Sequence, residues 1–121
     1  MKDFHDLHVW ERSHRLTLAI YSATVRFPRE ELYGLTSQIR RCAVSIGANI
    51  AEGCGKIGNN EFQRFLQIAA GSTSELDDEL LLAKELGYLT EPDYARMADE
   101  LSQIRKMLTS LLRKVNVERK S

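Results

Sequence analysis

The residues able to bind a metal ion are concentrated at one end of this chain. All three histidines, His5, His8 and His14, lie within the first fourteen residues, before or in the first turns of the first predicted helix. Di-iron four-helix bundles need glutamate and histidine ligands that project inward from several helices, so this distribution argues against a di-iron centre. Asp3 and Asp6 alternate with the histidines, but a solvated N-terminus is the simpler explanation of that cluster. We expect no metal site and no cofactor.

The side chains able to act as nucleophiles have no catalytic partners in a recognisable order. The sequence has no serine–histidine–aspartate arrangement, no H-E-x-x-H motif and no phosphate-binding P-loop. Cys42 and Cys54 are twelve positions apart on or just past one helix, about 18 Å of axial rise, whereas disulfide-bonded Cα atoms lie within about 7 Å. We therefore expect no disulfide, with Cys42 in the core and Cys54 a loop thiol. The chain is predicted to be no enzyme and to have no small-molecule substrate.

Three glycines, Gly53, Gly55 and Gly58, match the dinucleotide-binding pattern G-x-G-x-x-G. That motif needs a preceding β-strand, so that the turn aims a pyrophosphate at the N-terminus of the following helix. Here a predicted helix precedes the glycines. We interpret the match as chance and the glycines as a loop between two helices.

Phosphate binding is a further chemistry to consider, and it depends on clustered lysine and arginine side chains. The candidate nucleic-acid-binding residues are Arg12, Arg15, Arg40, Arg41, Lys56 and Arg64. The formal net charge is zero, which weakens the case for a nucleic-acid-binding protein. The charge is uneven, because nine acids oppose two bases between residues 75 and 100, and six bases oppose one acid between residues 105 and 121. This asymmetry is typical of head-to-tail assembly, of a surface facing a polyanion, or of a solvated helix end that complements the helix dipole.

Polar residues of the second and third helices predict how the two helices pair. If these helices are antiparallel about the loop near Ile57, positions whose numbers sum to about 114 to 116 face each other. This register predicts an ion pair between Arg41 and Glu75, and it places Gln38 opposite Asp77 or Asp78 and Ser45 opposite Ala69. Asn49 and Glu52 are expected to cap or bridge at the end of the second helix, although Glu52 is equally well explained as a solvated charge.

The elements that position these residues are four helices with apolar residues every three or four positions. They span about residues 9–26, 35–53, 60–87 and 91–115, with a capping-box-like start at Asn60 and Gln63 and a fraying tail from 116 to 121. Glycine, alanine and serine are dense in the second helix, which predicts a central position in the packing. We expect one domain over residues 1–121, an all-α, antiparallel up-down-up-down four-helix bundle with a left-handed twist. No apolar run is long enough for a membrane span and no signal peptide is visible, so a cytoplasmic location is expected.

Three segments of the sequence resemble one known family. They are DLHVWERSHRLTLAIY, FPREELYGLTSQIRRCAVSIGANIAEG and NNEFQRFLQIAAGSTSELDDELLLAKELGYL. Together they are similar to the bacterial 23S rRNA intervening-sequence proteins, also called the four helix bundle protein family, and the resemblance covers nearly all of the chain through Leu89. The sequence departs from that family at Gly47, where its members usually carry proline.

The resemblance implies a four-helix protomer that assembles into a homopentameric ring. It also extends in fold to the accessory proteins of diversity-generating retroelements, which bind reverse transcriptase and nucleic acid through a basic surface. We therefore expect a non-enzymatic oligomeric protein that engages RNA or an RNA-bound protein as an adaptor. The alternative is a protein–protein interaction scaffold that binds no nucleic acid.

Overall fold

The chain folds into four α-helices joined by short connections. The computed structural model describes residues 3–120, with side chains through residue 118. The helices are α1 (His8–Thr24), α2 (Leu35–Cys54), α3 (Asn59–Glu85) and α4 (Glu91–Lys120), and 3₁₀ turns occupy Phe4–Asp6 and Arg29–Glu31. No residue from 3 to 120 lies in a β-strand, so the predicted all-α class is confirmed. Each helix packs on the next along the chain and α1 also packs on α4; the up-down-up-down order and the left-handed twist stay predictions.

The core consists of the apolar stripes that the sequence periodicity predicts. Side chains with almost no exposed surface come from all four helices: Ile20, Ile39, Ile46, Ile50, Leu66, Leu76, Leu80, Leu101, Ile104 and Leu108. Each lies on a predicted stripe, and full burial of such a side chain stabilises the fold by about 1.5–3 kcal/mol. The interior is therefore one continuous apolar cluster to which every helix contributes.

The end of α3 and the start of α4 are capped by local hydrogen bonds. Gly87 adopts φ +82° at the end of α3, and the N–H groups of Tyr88 and Leu89 both donate to the Ala83 carbonyl, at 2.9 and 3.3 Å. Thr90 Oγ1 accepts a hydrogen bond from the backbone N–H of Asp93 at 3.3 Å, so it caps α4.

The start of α3 and the end of α4 differ from the sequence predictions, and each difference has a local explanation. Helix α3 begins at Asn59 after Gly58, whose φ of +93° lies in the left-handed region, so Asn60 is already inside the first turn rather than the cap. Helix α4 continues to Lys120 instead of fraying after residue 115. No glycine or proline interrupts residues 116–120, so nothing in the sequence there breaks the helix.

Helix α2 contains two glycines that contact its neighbours differently. A Cβ atom on Gly47 would lie 3.5 Å from Trp10 Nε1, an ordinary contact distance, whereas one on Gly53 would lie 3.0 Å from both Phe62 Cδ1 and Phe65 Cβ. Gly53 therefore lets α3 approach α2 more closely than any other residue would. The prediction of a loop thiol at Cys54 is wrong, because α2 extends through this residue and buries it.

Across the described residues, no helix combines the length and apolar character that a bilayer span requires.

Candidate nucleic-acid interface

Two of the predicted arginines, Arg40 and Arg41, lie in a groove between α1 and the first half of α2. The groove has a volume of about 440 Å³. It is lined by Tyr21, Leu32, Tyr33, Thr36, Ser37, Arg40, Arg41 and Val44. The sequence Phe27-Pro28 ends the first helix, since a residue before proline is disfavoured in the α region, and the short connection that follows carries Tyr33 to the rim.

Arg40 is held in place by the end of α1. Its Nε donates to Thr24 Oγ1 at 2.8 Å and its terminal nitrogen to the Tyr21 carbonyl at 3.3 Å. The guanidinium carbon also lies 4.7 Å from the centroid of the Tyr21 ring, a cation–π geometry. Arg41 donates to Ser37 Oγ at 3.3 Å. Within residues 3–118 no carboxylate pairs with either arginine, so neither guanidinium group has a counter-charge in that part of the chain.

Sequence reasoning missed the aromatic half of this groove. Tyr33 is 93% exposed and Tyr21 is 42% exposed, and neither was among the predicted binding residues. Tyr33 lies in the polar connection before α2, outside every apolar stripe. An aromatic residue outside the apolar stripes was the sequence feature that could have indicated its exposure. We call Tyr21, Tyr33, Arg40 and Arg41 together the tyrosine–arginine groove.

The other four predicted cations lie elsewhere. Arg12 and Arg15 line a second groove between α1 and α4. Arg12 is already paired there, because its Nε and a terminal nitrogen donate to the two carboxylate oxygens of Glu100 at 2.7 Å each. This bidentate pair raises the pKa of Arg12 and lowers the pKa of Glu100. Arg15 lies 3.8 Å from a carboxylate oxygen of Glu11, one turn earlier in α1.

Lys56 and Arg64 flank a single aromatic ring at the connection between α2 and α3. The Lys56 ammonium is 5.5 Å and the Arg64 guanidinium 4.5 Å from the centroid of Phe65. Arg64 also donates to Glu61, which lowers the pKa of that carboxyl group. The six predicted residues therefore form three separate groups, and only the pair in the tyrosine–arginine groove is free of carboxylates.

A polar seam joins α2 to α3 where an ion pair was predicted. Cys42 Sγ donates to the Ser72 carbonyl at 3.2 Å and lies 3.7 Å from Glu75 Oε2, and the hydroxyls of Ser45 and Ser72 are 2.9 Å apart. Asn49 Nδ2 donates back to the Ser45 carbonyl at 2.8 Å and to Ser45 Oγ at 3.0 Å, so it bridges within α2.

The ion pair predicted between Arg41 and Glu75 is not formed. Successive residues of a helix point about 100° apart, and Cys42, not Arg41, faces α3 and Glu75. Asp77, one of the two residues predicted to lie opposite Gln38, instead lies 3.6 Å from Arg105 of α4. Gln38 and Glu52 are exposed and make no side-chain hydrogen bond among residues 3–118.

Glu79 and Cys42 have strongly shifted acidities in this seam. Burial, with added repulsion from Glu75 and Asp78, raises the pKa of Glu79 to about 7, and Oε1 of Glu79 is buried without a hydrogen-bond partner. Burial and the nearby carboxylates of Glu79 and Glu75 raise the pKa of Cys42 to about 12. Because the thiolate is the reactive form of cysteine, the raised pKa predicts a low reactivity for Cys42 in the folded protein.

The N-terminal histidines do not build a metal centre in the part of the chain that is described. Glu11 and His14 have Glu-x-x-His spacing, but both are exposed on α1, where Glu11 lies near Arg15 and the His14 ring stacks on Trp10 at 4.9 Å between centroids. Residues 3–118 contain no group of three or more histidine, cysteine, aspartate or glutamate side chains that could hold a metal ion.

The fold and its surface define an all-α, four-helix protein whose candidate site is a basic and aromatic binding groove. The 23S rRNA-intervening sequence protein family model matches residues 5–110, and the chain belongs to this family. A crystal structure of a protein of unknown function from the S23 ribosomal protein family of Bacteroides thetaiotaomicron is similar, with 25% identity and a TM-score of 0.80. The match covers 87% of this chain and 95% of that one. No curated protein matches the chain.

Proposed function

We propose that this protein is a non-enzymatic, homo-oligomeric binding module that engages RNA through the tyrosine–arginine groove. The observation that supports this proposal is the combination of two guanidinium groups without carboxylate partners and two exposed tyrosine rings in one groove. Arginine binds phosphate oxygens through paired N–H donors, and tyrosine stacks on unpaired bases. Single-stranded nucleic acid is recognised by this pairing of cationic and aromatic groups.

The two arginines have different roles in this proposal. Arg40 is fixed by Thr24 and by the Tyr21 ring, so it presents a preorganised guanidinium edge to a phosphate. Arg41 is held only by Ser37 at 3.3 Å and can follow the path of the strand. Tyr33, at the rim, is the platform on which a base would stack, a contact worth about 1–3 kcal/mol per base.

Self-association is supported by apolar side chains that the protomer leaves uncovered. Leu82 and Leu86 near the end of α3 are about half exposed, and Leu81 and Ile68 on the same helix are also exposed. The run Leu80-Leu81-Leu82 makes this end of the helix apolar on more than one side, and one protomer does not cover all of these side chains. A homopentameric ring, as the family resemblance implies, would cover such residues, and light scattering after size-exclusion chromatography measures the mass directly.

A protein-binding scaffold is the second candidate function, and the charge distribution favours it. Arg12, Arg15 and Arg64 are already near carboxylates of the same chain, and the whole chain is neutral. Tyrosine and arginine are also the residues that dominate the energetics of protein–protein interfaces. Under this alternative the same groove binds a protein segment and no nucleic acid.

Fluorescence anisotropy of a labelled, structured RNA titrated with the oligomer separates the two candidates. RNA binding predicts an affinity that falls steeply with salt between about 50 and 200 mM, because counterions are released from phosphates. Arg41→Gln should weaken binding and reduce the salt slope by about 1, while Arg113→Gln, an equal change of charge at an exposed position on α4, serves as the matched control.

Tyr33→Leu tests the stacking role separately from the charge. Leucine keeps an apolar side chain but removes the aromatic face, so RNA affinity should fall about tenfold while thermal stability is unchanged, since Tyr33 is almost fully solvated. Absence of RNA binding at low salt would refute the RNA proposal. Equal effects of Arg41→Gln and Arg113→Gln would show that the groove is not the contact surface.

A further inference from the structure

A second groove lies between α1 and α4. It has a volume of about 660 Å³, within the range of about 300–1,000 Å³ typical of small-molecule sites. Four arginines line it, Arg12, Arg15, Arg26 and Arg96, and the acids are Asp93 and Glu100. We call it the α1–α4 groove. The RNA proposal above does not use it, because the tyrosine–arginine groove is formed by α1 with α2.

The two ends of the α1–α4 groove differ in how their charges are balanced. At one end Arg12 and Glu100 form a bidentate pair, with two N–H···O bonds of 2.7 Å. At the other end a single carboxylate, Asp93, accepts from both Arg26, at 3.4 Å, and Arg96. One positive charge is therefore in excess at the Asp93 end.

The geometry of the Asp93 end leaves donors available for a ligand. The Asp93 side chain is only 17% exposed, whereas the side chains of Arg26 and Arg96 are 67% and 73% exposed. Asp93 thus lies beneath the two guanidinium groups and orients them, while both arginine side chains stay largely exposed to solvent. Asp93 is also in the first turn of α4, where the helix dipole adds favourable potential for an anion.

The middle of the groove is apolar. Leu16, Ala23 and Met97 are buried at its floor, and the small side chains of Ala19 and Ser22 leave the space open. Asp93 and Glu100 are seven residues apart on α4, about 10 Å along the helix. We call this apolar middle of the groove the slot. A slot of that length beside two guanidinium groups accommodates a flat ring system, the body of a ligand, attached to a phosphate.

We propose that the α1–α4 groove binds a small phosphate monoester with an aromatic or apolar body, the chemistry of a nucleoside monophosphate. The phosphate binds the outward N–H donors of Arg26 and Arg96, and Asp93 holds the two guanidiniums in position beneath it. The body of the ligand lies on Ala23 and Met97, between Ala19 and Ser22. The paired Arg12 and Glu100 close the far end of the groove.

Isothermal titration calorimetry of the full chain with AMP, adenosine and inorganic phosphate tests this proposal. AMP is expected to bind at least tenfold more tightly than either fragment, because only AMP uses both the guanidinium pair and the apolar slot. Phosphate binding as tightly as AMP would overturn the proposal, since the slot would then contribute nothing. Absence of AMP binding at millimolar concentration would also overturn it.

Matched variants locate the binding within the groove. Arg26→Gln and Arg96→Gln should each weaken AMP about tenfold to a hundredfold, the effect of losing a hydrogen bond to a charged group, while Arg113→Gln should not. Ser22→Leu should block the slot without changing the charge, and its control is Ser74→Leu, another exposed serine-to-leucine change on a helix. Thermal melts verify that each variant is folded.

The tyrosine–arginine groove provides the decisive comparison between the two proposals. Arg41→Gln should weaken RNA and leave AMP unaffected, whereas Ser22→Leu should abolish AMP binding and leave RNA unaffected. If Arg41→Gln instead removes AMP binding, the nucleotide occupies the tyrosine–arginine groove and the proposal for the α1–α4 groove is wrong. Failure of RNA binding alone leaves the AMP result interpretable, because the two grooves share no residue.

Discussion

We predict that the carboxyl group of Glu79 makes the stability of the fold depend on pH. Burial next to Glu75 and Asp78 raises its pKa from 4.5 to about 7, so the folded state binds this proton more tightly than the unfolded chain. The stabilisation from the bound proton is fully present below about pH 4.5 and is lost as pH rises through about 7. The contribution of Glu79 to the free energy of unfolding therefore falls across that window.

The magnitude follows from the difference between the two pKa values. At 1.36 kcal/mol for each pKa unit, the full difference corresponds to about 3 kcal/mol. The side chain is only partly buried, so screening by water reduces the effect to about 1–2 kcal/mol. Glu79→Gln removes the titrating group while keeping the size of the side chain. The variant should be more stable than the parent by about 1–2 kcal/mol near pH 8 and show little of this gain near pH 4.5.

Urea denaturation followed by far-UV circular dichroism measures this difference, with both proteins at the same concentration because oligomer stability depends on it. Glu85→Gln, an acid-to-amide change at an exposed position on the same helix, is the control and should give the same stability difference at both pH values. A pH-independent effect of Glu79→Gln would refute the reasoning. So would a loss of stability in the variant near pH 8, since that requires an ionised Glu79 with a stabilising cationic partner.

Three further predictions concern packing, pairing and thiol chemistry. Gly53→Ala should lower the free energy of unfolding by about 1–3 kcal/mol, because the new Cβ would lie 3.0 Å from two phenylalanine side chains. Gly47→Ala should instead raise the free energy of unfolding by about 0.5–1 kcal/mol through helix propensity. The urea midpoints of the two variants measure this difference. A double-mutant cycle on Arg12 and Glu100, with alanine at each, should give a coupling of about 1 kcal/mol in urea unfolding, and additive effects would show that the bidentate pair contributes nothing. Cys42 should resist a thiol-disulfide reagent near pH 8 in the folded protein and react only after unfolding in urea, since burial raises its pKa to about 12. Mass spectrometry locates the labelled residue. Rapid labelling of Cys42 in the native state would contradict this prediction.

The sequence predicts the core well because burial follows helix periodicity directly. The α1 stripe from Val9 to Phe27 and the α4 stripe from Met97 to Val115 contain the buried residues that the three-and-four spacing indicates. Helix ends are predicted less well, since they depend on local details. Gly58 precedes α3 with a positive φ, which moves the start of the helix ahead of the side-chain signal at Asn60.

The sequence predicts only part of the candidate site. The ion pair wrongly predicted between Arg41 and Glu75 shows the reason. Summing residue numbers across a loop gives the axial register of two helices, and Cys42 does lie opposite Ser72. It does not give the rotation of each helix about its axis. That rotation decides that Cys42 contacts Glu75 while Arg41 turns to Ser37 and the tyrosine–arginine groove.

Local pairing, rather than net charge, distinguishes the arginines of this protein. Arg12 and Arg40 have similar positions, each on one helix and partly covered by another, yet Arg12 is neutralised by Glu100 and Arg40 interacts only with uncharged groups of α1. A chain with no net charge can therefore still present guanidinium groups to a phosphate at chosen places. Because interactions of exposed charges are screened over about 8 Å at physiological salt, acids farther away in the chain do not cancel these sites. The zero net charge weakens long-range attraction to RNA but does not oppose binding by the tyrosine–arginine groove once contact is made.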